Sequence, residues 1–450
     1  MKRKPLFLAA LAIIAMIILA TCGSNSFEYS LETVSSIGPD EGFSFYVVSD
    51  PHYLSDTLHD DKEAFQRFMS YGDRAVQYTG VMLEVLLEDI RKNRPDFIVL
   101  AGDLTCNGEM ESHEELAELL SRVEDMGTQA YVVPGNHDIL NPMARHFFEN
   151  TIWEADYITR DTFAKIYSDF GYDEAVSRDP NSLSYLAKPS EDLWFLMLDT
   201  AIYQDNIKDN YPNQNGELSL KTIEWIKNCA LLAQENNAKL IAVMHHSLIN
   251  HSDIINEGYT IANHQEVQEF FFENGIDIAF TGHIHIQDIK SLTKDQKTIY
   301  DIATSSLAVY PNQYGIVKYT PGKGLDYSTK VLEIEEYAHS NLMTDENLLH
   351  FQDYSQRIFI EQCCRKHRVG LENAQGLTRE EFRKVNQLVQ QMNLMYFAGY
   401  RNEELGHLLQ SEGYEILQRI SPLPVTDYIS AMLNDERADN NKLFIPIEMD

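Results

Sequence analysis

The chain has 450 residues, of which 44% are hydrophobic, and 36 Lys and Arg against 69 Asp and Glu give a formal net charge of -33. This length allows about two or three ordinary domains with a large core. The negative charge argues against a nucleic acid held in a basic groove, because such a protein repels the phosphate backbone.

The first predicted element is a secretory signal peptide at residues 1–22. Three cationic residues at 2–4 precede an uncharged apolar run at 6–20, which is shorter than the roughly 20 residues that a membrane span needs. The end of this segment, Leu19-Ala20-Thr21-Cys22, resembles the lipobox of bacterial lipoproteins, which implies a lipid on Cys22. We therefore expect the protein at the extracellular face of a bacterial cell membrane, lipid-anchored or secreted, with an uncleaved anchor as the alternative. The polar residues 23–41 form the predicted tether.

Residues 42–338 alternate apolar, β-rich runs with segments of helical period. The predicted strands are Phe43–Ser49, Phe97–Ala101, Tyr131–Val133, Leu193–Leu198, Leu240–Met244 and Ile276–Phe280. The predicted helices are Glu63–Arg91, Ser112–Met126, which has a capping box from Ser112 to Glu115, and Leu220–Gln234. This alternation predicts α/β layers with helices covering a largely buried sheet, and strand-like runs after Asp288 predict a second sheet that closes a sandwich.

The pattern becomes helical only from about Glu346. Thr378 begins a segment with five apolar residues on one helical face, at Phe382, Val385, Val389, Met392 and Tyr396. Residues 346–450 are therefore predicted to form an appended all-α C-terminal domain.

Five predicted strands end in residues that can bind a metal ion. These groups are Asp50-Pro51-His52, Gly102-Asp103, Gly135-Asn136-His137-Asp138, His245-His246 and Gly282-His283-Ile284-His285. Each group alone is weak evidence, since Asn and Asp are common in turns and a loop His is usually solvated. Together they can converge, because the carboxyl ends of strands in an open α/β sheet are where ligands bind.

A cluster of Asp, Asn and His offers mixed nitrogen and oxygen ligands, which suit Mn, Fe or Zn rather than Ca. Two such ions about 3.5 to 4 Å apart can hold a hydroxide between them and bind the oxygens of a phosphate ester for in-line attack. Their charge would also overcome the repulsion between an acidic protein and an anionic substrate.

The motifs from Asp50 to His285 resemble the signature of the calcineurin-like metallophosphoesterases. The resemblance implies a four-layer α/β/β/α sandwich and two metal ions, Mn or Fe, with Zn as the alternative. It also implies the metal ligands: Asp50, His52, Asp103 and His285 for the first ion, with Asp103 bridging, and Asn136, His245 and His283 for the second. His137 is implied to protonate the leaving oxygen or to stabilise the transition state, with Asp138 orienting it.

One position separates branches of this family. Purple acid phosphatases carry a Tyr ligand where this chain has Cys106, whereas the intact Asp50-x-His52 and the helical tail resemble bacterial class III cyclic-nucleotide phosphodiesterases and their lipoprotein relatives. The implied function is hydrolysis of a small phosphodiester, such as 3′,5′-cyclic AMP, by a metal-bridging hydroxide. A phosphomonoesterase or nucleotidase on the same metal core, and a non-catalytic surface binding module, are the alternatives.

Two further histidines stand near the motifs. His246 could face the metal in place of His245, although the family pattern favours His245. His113 is expected at the surface, at the start of a helix.

Overall fold

The computed structural model describes residues 27–32, 37–372, 377–400, 403–420, 424–434, 437 and 439–447. The predicted signal peptide with Cys22, and part of the predicted tether, lie outside the described residues. Within the described ranges, no helix is both long enough and apolar enough to cross a bilayer.

The strands form two large sheets and a separate hairpin. In chain order they are β1 (Phe43–Val48), β2 (Phe97–Ala101), β3 (Gln129–Val133), β4 (Arg145–Phe148), β5 (Thr151–Glu154), β6 (Ser177–Arg178), β7 (Tyr185–Ala187), β8 (Leu193–Leu198), β9 (Lys239–Met244), β10 (Ile278–Thr281), β11 (Asp288–Lys294), β12 (Lys297–Ala303), β13 (Gln313–Thr320), β14 (Gly324–Val331) and β15 (Lys442–Pro446). The first sheet has the order β15-β14-β13-β1-β2-β3 and the second β11-β12-β10-β9-β8-β7-β6, while β4 and β5 pair with each other.

Parallel strands occupy the part of each sheet that precedes the predicted metal ligands. β1, β2 and β3 are parallel in the first sheet, and β8, β9, β10 and β12 are parallel in the second. The sequence predicted that the strands after Asp288 form a second sheet of their own, and this prediction is wrong. Instead β11 and β12 extend the second sheet, and β13 and β14 extend the first, because β13 pairs antiparallel with β1.

Helices cover both outer faces. In chain order they are α1 (Glu63–Met69), α2 (Thr79–Asn93), α3 (Met110–Asp125), α4 (Arg160–Ile166), α5 (Asn206–Asp209), α6 (Leu220–Glu235), α7 (His264–Asn274), α8 (Ile334–Ser340), α9 (Glu346–Leu349), α10 (Phe351–Glu372), α11 (Arg379–Phe397), α12 (Glu403–Leu409), α13 (Glu412–Ile420) and α14 (Pro424–Leu433). Shorter helical turns lie at Asp56–Leu58, Val76–Tyr78 and Ser168–Tyr172.

Strand alternation builds the layers. Phe45 of β1 points between the two sheets, with its ring centroid 5.3 Å from that of Phe195 and 5.7 Å from that of Phe280. The neighbouring residue of β8, Trp194, points to the opposite face and packs in a cluster with Trp225 of α6. This inside-outside alternation produces the predicted α/β/β/α sandwich.

Two predicted helices differ from those observed. The predicted helix Glu63–Arg91 is interrupted after Met69, and α2 begins only at Thr79. The helix predicted from Ser112 begins earlier, at Met110, so Ser112 lies inside α3 and accepts a hydrogen bond from the Ser55 amide (3.1 Å) instead of capping the helix.

The C-terminal region is helical as predicted and has its own apolar core. Val389 of α11, Leu417 of α13 and Ile429 of α14 are buried together in it. The capping box of Thr378 and Glu381 at the start of α11 is present. After these helices the chain returns to the first sheet as β15, a strand that the sequence did not predict, and pairs antiparallel with β14.

Candidate metal centre

The turns after the strands hold the predicted ligands in unusual backbone conformations. Asp50, His52, Asp103, His283 and His285 all have positive φ values, between 46° and 65°. Non-glycine residues rarely adopt this left-handed region, and such strain concentrates at functional sites. The turns therefore present these side chains at a cost that the surrounding structure offsets.

The four residues predicted for the first metal lie together. One ligand atom from each of Asp50, His52, Asp103 and His285 lies within 4.8 Å of the others. The Nε2 atoms of His52 and His285 are 3.2 Å apart, and Asp50 Oδ1 lies 3.2 Å from His285 Nε2. The structure thus places these residues in one group.

A second group shares Asp103 with the first. Asp103, His245 and His283 also have ligand atoms within 4.8 Å of one another. His245 Nε2 lies 3.3 Å from Asp103 Oδ1 and 3.1 Å from Asn136 Oδ1. Asp103 is therefore the residue common to both groups, which is the arrangement that a bridging carboxylate needs.

Backbone carbonyls orient two of the imidazoles. His245 Nδ1 donates to the Ala101 carbonyl (2.8 Å), and His283 Nε2 donates to the Gly258 carbonyl (2.8 Å). A carbonyl oxygen can only accept, so each ring carries a proton on that side, and the other nitrogen is the one that is available to bind a metal ion. Neutral imidazoles with one free lone pair are good metal ligands.

The donor set fits metal ions. Asp50 Oδ1 is a buried carboxylate oxygen that forms no well-aligned hydrogen bond with any described residue, although it lies 3.2 Å from His285 Nε2, which is in turn 3.2 Å from His52 Nε2. A buried charge of this kind is costly unless it is paired or coordinates a metal. Cations bound between these atoms would satisfy all three.

Burial and the nearby carboxylates shift the pKa values of two histidines of the cluster in opposite directions. Burial, reinforced by the positive charge of Arg74, holds the pKa of His52 well below its usual range. Burial also opposes the charged form of His245, but the Asp103 and Asp50 carboxylates outweigh it and raise the pKa of His245 to about 9. The carboxylates and the imidazoles therefore interact strongly before any ion is considered.

His137 lies at the edge of the two groups. Its Nδ1 donates to the Cys106 carbonyl (2.8 Å) and its Nε2 is 4.0 Å from Asp103 Oδ2. Burial lowers the pKa of His137 to about 4, although the charge of Asp103 opposes this effect. Because the Cys106 carbonyl holds Nδ1, the Nε2 atom of the ring points toward the cluster.

The prediction that Asp138 orients His137 is wrong. The Asp138 carboxylate accepts hydrogen bonds from the amides of Gly135 (2.8 Å), Leu104 (3.0 Å) and Thr105 (2.9 Å). These amides belong to the two loops that carry Asp103 and His137. Asp138 thus joins the loops to each other, and the Cys106 carbonyl takes the orienting role.

Gly135 is required by the close approach of these loops. A Cβ atom at Gly135 would lie 2.2 Å from the amide nitrogen and from Oδ1 of Asp103. Only glycine lets the loop pass so near the shared carboxylate.

The ring nitrogens of His246 and His113 bond to groups outside the cluster. His246 is held by Thr200 Oγ1 (2.8 Å from Nδ1) and by the Gln214 carbonyl (3.1 Å from Nε2), which agrees with the choice of His245. The expectation that His113 lies at the surface is wrong: it is buried, with Nε2 3.0 Å from the Asp138 carbonyl and Nδ1 2.8 Å from the Tyr167 hydroxyl.

Sequence reasoning missed Arg74. Its Nη2 lies 3.3 Å from His137 Nε2, so a guanidinium lies beside the predicted proton donor. Arg74 follows no strand and belongs to no motif. The only available signal was the local sequence Gly72-Asp73 inside a predicted helix, which indicates a break in that helix.

Two family models match the chain. Residues 43–287 match the calcineurin-like phosphoesterases, and residues 333–439 match the C-terminal domain of cyclic nucleotide phosphodiesterase. No curated protein matches the chain in a sequence comparison.

Several solved structures are similar at low sequence identity. A dimetal phosphatase from Danio rerio is 13% identical with a TM-score of 0.45, over 64% of this chain and 95% of that chain. A candidate 5′-nucleotidase from Staphylococcus aureus is 15% identical with a TM-score of 0.37, over 70% of this chain and 58% of that chain. GAP50, the anchor in the inner membrane complex of Plasmodium, is 11% identical with a TM-score of 0.35, over 65% of this chain and 85% of that chain.

The first family model covers more than half of the chain and spans every predicted metal ligand. The geometry agrees with that match, because the His and Asp side chains form two groups around a shared carboxylate. The chain therefore belongs to the calcineurin-like phosphoesterases, as a phosphoester hydrolase with a cluster suited to two metal ions and with a C-terminal domain of the cyclic nucleotide phosphodiesterase type.

Proposed function

We propose that the protein hydrolyses a phosphodiester, with a cyclic nucleotide such as 3′,5′-cyclic AMP as its substrate class. The observation that carries this proposal is the C-terminal domain, whose type is that of cyclic nucleotide phosphodiesterases and which packs on the loop of His285. The amide of Gln287, two residues after His285, donates to the Phe397 carbonyl at the end of α11 (3.1 Å). A domain in contact with the site can shape what the site accepts.

The predicted ligands would hold two metal ions. Asp50, His52 and His285 would bind the first ion and Asn136, His245 and His283 the second, and Asp103 would be shared. When bound, the ions supply Lewis-acid stabilisation of the phosphate charge and activate the attacking water. Mn and Fe suit this mixed nitrogen and oxygen donor set, with Zn as the alternative.

His137 is the proposed proton donor. The Cys106 carbonyl holds the proton of Nδ1, so Nε2 is the atom that faces the reacting group. An anionic ester against Nε2 favours the protonated ring and opposes the effect of burial. His137 then delivers the Nε2 proton to the leaving oxygen of the ester.

We also propose that the protein acts outside the bacterial membrane, held there by a lipid on Cys22. The cationic and apolar segment at 1–22 and its lipobox-like end support this location. Replacing Cys22 with Ala should move the protein out of the detergent-extracted membrane fraction. A protein that stays in that fraction unchanged would point to the uncleaved anchor.

Substrate comparison tests the proposed activity. The Mn²⁺-loaded chain is assayed with bis(4-nitrophenyl) phosphate, 4-nitrophenyl phosphate, 3′,5′-cyclic AMP and 2′,3′-cyclic AMP, with Asp103→Ala as the control. Higher kcat/KM for the diester and for a cyclic nucleotide supports the proposal. Preference for the monoester would assign the metal core to a phosphatase or nucleotidase instead.

A further inference from the structure

Arg74 lies in the segment 70–75, which separates α1 from the helical turn Val76–Tyr78. Its side chain is half-buried, and its Nη2 is 3.3 Å from Nε2 of His137. The pKa of His52 is lowered mainly by burial and further by the positive charge of Arg74. Arg74 therefore stands at the edge of the metal centre on the side of the proposed proton donor.

Among the described residues, no carboxylate forms an ion pair with Arg74. The Arg74 side chain forms a hydrogen bond with His137. A guanidinium has five N–H donors in a planar fork, so most of its hydrogen-bonding capacity is free. A half-buried cation beside two bound metal ions would be unfavourable without an anion close to it. Arg74 is thus suited to bind a negatively charged group at the edge of the metal centre.

We propose that Arg74 binds a non-bridging oxygen of the substrate phosphoryl group, and that the C-terminal helices fix it in that position. The first part rests on the proposed hydrolysis of a phosphoester at this centre. The guanidinium fork matches two phosphate oxygens, and bonds between such charged partners are stronger than neutral hydrogen bonds. Arg74 would hold the phosphoryl group against the metal centre while His137 faces the leaving oxygen.

The backbone of Arg74 is fixed by the loop after β12. Arg74 forms a β-bridge with Val309, and the Ala75 amide donates to the Ala308 carbonyl (2.9 Å). Val309 is buried in a cluster with Phe359 of α10. The loop that supports Arg74 is therefore itself packed against the C-terminal helices.

Further contacts hold the segment on both sides of Arg74. Before it, Gln362 Nε2 of α10 donates to the Ser70 carbonyl (3.0 Å). After it, Gln77 bonds to the hydroxyl of Tyr354 on α10, and the Tyr78 hydroxyl donates to Asp345 (2.9 Å). The C-terminal region thus contacts the chain directly before and after Arg74, and it reaches Arg74 itself only through the loop that carries Val309.

Substitution of Arg74 tests the first part. The full-length chain in detergent micelles is compared as wild type, Arg74→Met and Arg74→Lys, with Arg91→Met as the control because Arg91 is an exposed arginine on α2. We expect Arg74→Met to weaken binding of inorganic phosphate to the Mn²⁺-loaded protein by about 10- to 100-fold, as loss of a charge-assisted bond does. KM for the diester should rise in parallel, the metal content should stay at the wild-type level, and Arg74→Lys should restore part of the loss.

Phosphate binding, measured by titration calorimetry, keeps this test independent of turnover. If the wild type hydrolyses no ester, the proposed function fails, and phosphate binding still decides whether Arg74 contacts the anion. Unchanged phosphate affinity and KM in Arg74→Met would overturn the inference.

Substitution of Gln362 tests the second part. Gln362→Ala should weaken phosphate binding less than Arg74→Met does, by about three- to tenfold, and should leave the metal content unchanged. Gln352→Ala on the exposed face of the same helix is the matched control. In the Arg74→Met background, Gln362→Ala should have no further effect on phosphate affinity. A Gln362→Ala variant that binds phosphate like the wild type, or an equal additional loss in the double variant, would contradict the positioning role.

Discussion

Asp103 Oδ1 lies 3.3 Å from Nε2 of His245, although Asp103 follows β2 in the first sheet and His245 follows β9 in the second. The metal centre therefore lies at the seam between the two sheets, and one carboxylate reaches ligands from both.

This relationship predicts the effect of removing Asp103. Asp103→Ala should lose both metal ions together, because both groups of ligands share this carboxylate. His137→Ala should keep both ions while turnover falls by about 10²- to 10⁴-fold, as expected for loss of general acid catalysis. Metal analysis of the two purified variants, with kcat for the diester, decides between these outcomes. Equal loss of metal from both would refute the assigned roles.

Gly135→Ala should impair the centre almost as strongly as Asp103→Ala does. The added Cβ would lie 2.2 Å from Asp103 Oδ1, so the shared carboxylate must move. The matched control is Gly406→Ala in α12, where a Cβ meets no atom within 4 Å. Metal content at equal protein concentration is the measurement, and a Gly135→Ala protein with two ions per chain would show that the loop yields easily.

Asp138→Asn should destabilise the fold by about 2 to 3 kcal/mol, because an amide group would then face backbone N–H donors in a buried place. The carboxylate accepts from the amides of Gly135 and Thr105, and burial raises the pKa of Asp138 to about 7. Urea unfolding measures the change, with Asp326→Asn on the exposed side of β14 as the control. If Asp138→Asn changed only kcat and left the free energy of unfolding unaltered, Asp138 would act on His137 after all.

His251 predicts a pH dependence of stability away from the metal centre. It is buried, with Nδ1 2.9 Å from Asp288 and Nε2 3.3 Å from Asp301, and Lys290 lies 3.5 Å from Asp288. Burial opposes the imidazolium, but Asp301 and Asp288 outweigh it and raise the pKa of His251 from 6.5 to about 9. The stabilising contribution is thus present below about pH 6.5 and is lost as the pH rises through 9.

Over this interval the free energy of unfolding should fall by up to about 3 kcal/mol. Urea unfolding at several pH values measures it, and His251→Gln should show a flatter profile between pH 6.5 and 9. A His251→Gln profile parallel to that of the wild type would assign the pH dependence to other groups.

The sequence predicts the centre well because its chemistry follows the strands. Asp50 and His285 are far apart in the chain, yet each lies in the turn after a buried apolar strand, and parallel strands bring their ends to one edge. The same reasoning could not find Arg74, because it depends on contacts with α10 and on the loop after β12, and such contacts leave no local pattern.

The remaining differences have similar tertiary causes. Ser112 and Glu115 have the spacing of a capping box, but Ser112 bonds to the Ser55 amide inside the fold and the helix begins before it. β15 is short and follows a long helical region, so only its pairing with β14 makes it a strand. Asp138 neighbours His137 in sequence, yet its carboxylate meets the backbone amides of another loop.

The most direct test of the two-metal centre is a metal titration of the apo protein with the diester as substrate. Chelator-treated full-length chain receives increasing Mn²⁺, and bound metal and hydrolysis of bis(4-nitrophenyl) phosphate are measured on the same samples. Activity should reach its maximum only when two ions are bound per chain, and Asp103→Ala should stay inactive at every ratio. Maximal activity with one ion or none, or an active Asp103→Ala protein, would contradict a hydrolase built on two metals that share Asp103.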